Sequence, residues 1–258
     1  AEIKFLAAKT GVQLAFGACG SNNFSAAAWS PDGTRVYFQL VFTGHVLDAG
    51  KANKPITALP VPQPIGPGAW LGPTRLAIPV ISEVEGGPVR LAVLDVPPTG
   101  STELTDPVRF LPLEGVTDVL ELVAGPGEGE VFALVQRGAT NSAARITTAD
   151  GKVEALLPWL PPETSSLTWS LPPPQVALGV GEEVRVHEIA SGAVIGTWTS
   201  ATRGTLHPEG RWLVLEQLGA PVSMFAQRSW DDLPPEVRAR EEQRAQALTD
   251  RLPPGVNT

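Results

Sequence analysis

The sequence predicts an all-β fold: a single β-propeller of about five four-stranded blades over residues 1–228, followed by a C-terminal helical extension over residues 229–258. Three observations carry this expectation. Short apolar strand, turn and strand units recur with a mean spacing of about 44 residues, the length of one four-stranded blade. Gly and Pro number 26 each in 258 residues, which is the punctuation of many short strands joined by turns. No window approaches the roughly 18 uninterrupted apolar residues of a membrane-spanning helix, so the apolar 43% of the chain is available for a core.

The chain start reads as a hairpin, with Ile3–Leu6 turning at Lys9-Thr10-Gly11 into Val12–Phe16. The clearest repeat follows: Trp29-Ser30-Pro31-Asp32-Gly33 leads into the β-rich run Thr34-Arg35-Val36-Tyr37-Phe38. Weaker copies start at Trp70, Leu122, Trp169 and Leu206, and their turns carry Pro73, Pro126, Pro173 and Pro208. Each repeat closes with a second hairpin. Ile146-Thr147-Thr148 turns through Asp150-Gly151 into Val153–Leu156, and Val184–Ile189 turns through Ser191-Gly192 into Ala193–Trp198. Asp-Gly and Ser-Gly supply the positive φ of such turns. The first hairpin lacks an inner strand of its own and the last repeat lacks a clear outer pair, so the two ends are expected to complete one blade and remove an exposed sheet edge.

Physical roles follow for the repeat residues. Pro and Asp preset the turn and Gly takes its left-handed position. Trp29, Trp70 and Trp169 at strand ends are expected to fill the wedge between neighbouring blades. The Trp29–Gly33 element resembles the repeat of the WD-like propellers in TolB-type periplasmic proteins, and Ile189–Val214 is similar to bacterial surface-layer propeller repeats. The resemblance covers about residues 26 to 217. It implies a propeller that binds without catalysis, although the motif is a folding device that fixes no ligand. The Gly-His and Trp-Asp pair of WD repeats is missing from these repeats, Trp230-Asp231 sitting beyond the last of them.

Two segments stand outside the repeat. Leu59–Gly68 is proline-rich, stiff and extended, a connector between blades. From Asp232 the chain predicts a helix with Pro234 and Pro235 at its first positions and Glu236–Leu252 as its body. Its apolar stripe is narrow and set among charges. That composition suits a partner contact, with Val237, Leu248 and Leu252 as anchors and Arg238 and Arg244 on a polar rim.

The search for chemistry narrows the function. A formal charge of −8 excludes counterion release as a binding force, so nucleic acid is not an expected partner. A single cysteine, Cys19, excludes an internal disulfide and any thiolate zinc cluster. His45, His187 and His207 fall at different places in their repeats, and no metal or cofactor is expected. Neither a nucleophile elbow nor a dinucleotide loop is present, the Gly-rich Gly125–Gly129 and Gly179–Gly181 being turns. No catalytic residue is assigned. The expected function is a non-catalytic scaffold or docking subunit of an exported or envelope-associated assembly with protein partners, placed in the periplasm or extracellular space, as the small first residue Ala1 suggests; a cytoplasmic location is the alternative. The alternative function is a carbohydrate-active propeller whose carboxylates Asp32, Asp118, Glu121 and Glu209 would sit at the inner mouth, where paired acids cleave glycosides.

Overall fold

The computed structural model describes residues 2–6, 13–18, 24–40, 43–48, 57–82, 87–96, 107–170, 174–207, 212–216 and 223–226. Strands β1 (Glu2–Leu6) and β2 (Gln13–Ala18) form an antiparallel hairpin. The first blade is β3 (Phe24–Trp29), β4 (Arg35–Leu40), β5 (Thr43–Asp48) and β6 (Thr57–Ala58). The second is β7 (Ala69–Trp70), β8 (Arg75–Val80), β9 (Arg90–Asp95) and β10 (Arg109–Pro112). The third is β11 (Asp118–Ala124), β12 (Glu130–Arg137), β13 (Thr140–Thr147) and β14 (Val153–Leu160). The fourth is β15 (Thr164–Ser170), β16 (Gln175–Val180), β17 (Glu183–Glu188) and β18 (Val194–Thr199). A last, three-stranded sheet holds β19 (Arg203–Leu206), β20 (Trp212–Glu216) and β21 (Ser223–Ala226). Every sheet is an antiparallel meander in chain order.

First strands pack on first strands, β3 on β7, β7 on β11, β11 on β15 and β15 on β19, which is the radial arrangement of a β-propeller. Each seam between sheets has its own apolar core. Tyr37, Trp70, Leu76 and Ile78 fill the first, and Leu91, Leu113, Val131 and Ile146 the second. Phe132, Leu134, Leu167 and Leu178 fill the third, and Val184, Val186, Leu206 and Leu213 the fourth. Second strands are covered on both faces, so β16 is buried along its whole length and reads as a continuous apolar run. Outermost strands face water, and β18 is largely exposed.

The strand, turn and strand units expected from the sequence are the first hairpins of these sheets. Asp32 organises its turn, accepting hydrogen bonds from Ser30 Oγ at 2.6 Å, Thr34 Oγ1 at 2.8 Å and Thr34 N at 3.1 Å, and Gly33 takes φ +68°. Gly68, at the entry to β7, is needed for closeness: a Cβ there would lie 2.8 Å from the Tyr37 ring of the preceding blade. The connector Leu59–Gly68 joins the first two blades, anchored by Gln39 Nε2 donating to Pro64 O at 2.7 Å.

The tryptophans divide. Trp70 is 3% exposed and its Nε1 donates to Ala28 O of the first blade at 3.0 Å. Trp169 is half-buried, donates to Ala124 O of the third blade and packs edge-on against Phe132. Trp29, expected in the core, is instead 54% exposed. The clamp made by its two counterparts reaches back to the preceding sheet. Among the described residues, no packing comparable to the other seams joins β19 to β3, so a seam of that kind does not bury Trp29.

Of three other expectations, two are not shown among the described residues and the third lies outside them. Four blades have four strands; the fifth repeat contributes three, ending at Ala226, so the described residues do not contain a five-blade ring of complete blades. The hairpin β1–β2 pairs with itself, and among the described residues no ladder joins it to the last sheet. The helix expected from Asp232 lies outside the described residues, among which no helix occurs.

Candidate functional site

The inner strands share one irregularity. In β3, β11 and β15 the register skips a residue near the strand start, at Ser25, Leu120 and Ser165. Such bulges re-aim the side chains beside them. Counting back from the pairs Ala124–Val131, Trp169–Val176 and Leu206–Leu213, the residues Glu121, Ser166 and Arg203 hold the same place on successive inner strands. Two of them meet. Arg203 Nη2 donates to Glu121 Oε2 at 3.3 Å and to Oε1 at 3.4 Å, linking the third blade to the last sheet past the fourth. The Glu121 side chain is 13% exposed and that of Arg203 50%. Burial pushes the Glu121 carboxyl above its ordinary value, and the Arg203 charge partly offsets that rise.

The other carboxylates considered for glycoside chemistry are elsewhere. Asp32 is the turn residue described above, and Asp118 Oδ1 accepts from Val119 N at 2.8 Å, on the same strand as Glu121. Glu209 lies outside the described residues. The histidines sit on three different sheets: His45 on β5, stacked on Phe38 at 5.4 Å between ring centroids; His187 on β17, its Nδ1 3.1 Å from Gly192 O; and His207 after β19. Burial lowers the pKa of His45. Among the described residues, no group of three or more His, Cys, Asp or Glu is arranged to hold a metal.

A second feature lies at the rim, where the sheets diverge. A groove of about 540 Å³ runs between β14 and the β17–β18 hairpin. Alternation along β17 explains one wall: Val184 and Val186 are buried against the last sheet, which turns Arg185 and His187 to the opposite face and into the groove. Leu156, Leu157 and Pro158 of β14 form the other wall, with Ile189 beyond the end of β17. The Arg185 guanidinium is steadied by Glu183, whose Oε2 accepts from Nε at 3.1 Å and Nη2 at 2.9 Å.

Trp159 stands over this groove. The β13–β14 register shifts between the pairs Ala143–Leu157 and Asn141–Leu160, and in that bulge Trp159 adopts φ +66° with 80% of its surface exposed. A bulky residue in the left-handed region is a genuine outlier. Val194 and Ile195 at the start of β18 are also half-exposed. The repeat pattern did not single out Trp159, because it is off the inner-strand position of Trp70 and Trp169. The available signal was Leu156-Leu157-Pro158-Trp159-Leu160-Pro161-Pro162, an apolar run broken by prolines, which marks an edge strand with an aromatic it cannot bury. The partner-contact residues expected from the sequence, Val237, Arg238, Arg244, Leu248 and Leu252, lie outside the described residues.

No protein-family model and no curated protein matches the chain. Solved structures do. The β-propeller domain of Cps50 (Swd1) from Myceliophteria thermophila is 10% identical, with a TM-score of 0.62 over 88% of this chain and 76% of that one. A chain of the nidogen/laminin complex is 13% identical, with a TM-score of 0.61 over 87% of this chain and 85% of that one. TolB from Acinetobacter baumannii is 16% identical, with a TM-score of 0.58 over 79% of this chain, which spans about half (52%) of the TolB chain. At these identities the likeness is one of fold, the β-propeller reached independently from the sheet topology.

Proposed function

We propose that this chain is a non-catalytic docking module, a β-propeller scaffold that holds protein partners in an exported or envelope-associated assembly. The observation that carries it is Trp159: an indole held in a costly backbone conformation and left four-fifths in water, on the lining of a groove with both apolar and polar walls. Strain kept at an exposed aromatic points to a surface used by something else. The inner mouth supports the same reading, because its carboxylate Glu121 is engaged by Arg203 from the last sheet, where a glycosidase needs an acid paired with a second carboxylate. Export draws its support from the resemblance of Trp29–Gly33 to TolB-type repeats. The C-terminal segment 229–258 is proposed as a further partner contact through Val237, Leu248 and Leu252, with Arg238 and Arg244 at its rim.

The test is cross-linking of the full chain in its native cells, followed by fractionation and identification of what co-purifies in stoichiometric amount. A defined partner, recovered outside the cytoplasm and reduced by truncation at Gln227, is the expected result. A chain that runs alone and cleaves aryl glycosides in a Glu121-dependent manner would overturn the proposal.

A further inference from the structure

We infer that the groove between β14 and the β17–β18 hairpin seats a peptide segment of a partner protein that joins apolar side chains to a carboxylate, with Trp159 as the apolar anchor and Arg185 reading the charge. This rests on the docking reading above and adds where the partner binds and what its chemistry is. Trp159 contributes little to the core at 80% exposure, and its φ of +66° would be adopted by glycine without strain. The position therefore costs stability and returns none within the chain. An indole supplies a large rigid contact area to a partner at small entropic cost, which is why tryptophan anchors so many interfaces.

Shape and charge select the occupant. The groove is open and is lined by the end of β14, by β17 and by the turn that follows β17, so a segment of a few residues can enter it. The walls are apolar at Leu156, Leu157, Pro158 and Ile189, and Arg185 is the only lining residue with a permanent charge. Glu183 engages the Nε and Nη2 donors of Arg185 through a single oxygen, and a guanidinium carries further donors on its other nitrogen. A carboxylate completes that pairing, whereas a lysine or arginine there meets repulsion.

The experiment pans random dodecapeptides displayed on phage against the full chain, with counter-selection on Trp159→Gly, a variant that keeps the backbone by giving glycine the left-handed position. The expected result is enrichment of sequences joining Asp or Glu to several apolar residues. The synthetic peptide should bind the wild type in fluorescence polarisation and lose about ten-fold or more in affinity, 1.4 kcal/mol, against Trp159→Gly and against Arg185→Glu, both checked for thermal midpoints no lower than that of the wild type. Enrichment of basic peptides, absence of enrichment, or equal binding to the variants overturns the inference. Binding that appears only after truncation at Gln227 would make the chain's own C-terminal segment the occupant, and a self-association abolished by Trp159→Gly would make it a second copy; both overturn the assignment to a partner. A native partner still cross-linked to both variants removes this site while leaving the docking function intact.

Discussion

Replacing the tryptophans of the repeat one at a time separates a residue that clamps two blades from one that merely occupies the same place in the motif. Trp70 is 3% exposed and donates to Ala28 O across the first seam, so Trp70→Ala removes an almost fully buried ring and an inter-blade hydrogen bond. Truncating a buried aromatic costs about 3–5 kcal/mol. Trp70→Phe keeps most of the ring and loses the donor, so about 1–2 kcal/mol is expected, of which the hydrogen bond accounts for about 1. Trp29 is 54% exposed, and half of a large apolar side chain removed from water amounts to about 1 kcal/mol for Trp29→Ala. Urea unfolding followed by circular dichroism measures all three as shifts in midpoint at constant m value. A loss for Trp29→Ala as large as that for Trp70→Ala would refute the reasoning, because it would mean that a preceding sheet covers Trp29 as the first blade covers Trp70.

Four further outcomes are expected. Gly179→Ala places a Cβ 2.4 Å from Thr202 O and 2.5 Å from Ser166 Oγ, and overpacking of this kind costs about 1–3 kcal/mol or more, read as a fall in the thermal midpoint. Tyr37→Phe should be neutral or stabilising by up to about 1 kcal/mol, since its buried hydroxyl has no hydrogen-bond partner among the described residues; a clear loss in the same assay would show a bond to that hydroxyl. His45 has a folded-state pKa below its unfolded value of about 6.5, so its contribution is complete above that pH and is lost as pH falls through the folded value; His45→Phe should flatten this part of the stability profile. Glu121 has the opposite sign: its raised folded-state pKa makes its contribution complete below an unfolded value of about 4.5 and lost as pH rises through the folded one, so Glu121→Gln should remove that loss and leave stability at neutral pH equal or higher.

The sequence by itself determined the class of fold and the position of each first hairpin, because those depend on neighbours in the chain. Pro31, Asp32 and Gly33 make their turn with bonds from Ser30 and Thr34, all within a few residues, and the copies at Trp70, Leu122, Trp169 and Leu206 were legible for the same reason. The roles of Asp32 as a turn residue and of Gly125–Gly129 as a turn followed equally from local chemistry. What each residue faces was decided only by the tertiary structure. Trp29 and Trp70 share a motif and differ in burial: Trp70 lies in the seam against the first blade, and among the described residues no comparable seam joins β3 to β19. Glu121 and Arg203 are 82 residues apart and meet because bulges and blade order bring equivalent inner-strand positions together, a distance no sequence period encodes. Trp159 was singled out by no repeat; it lies in the β13–β14 bulge, and only the packing of the sheets decided that its ring is left 80% exposed.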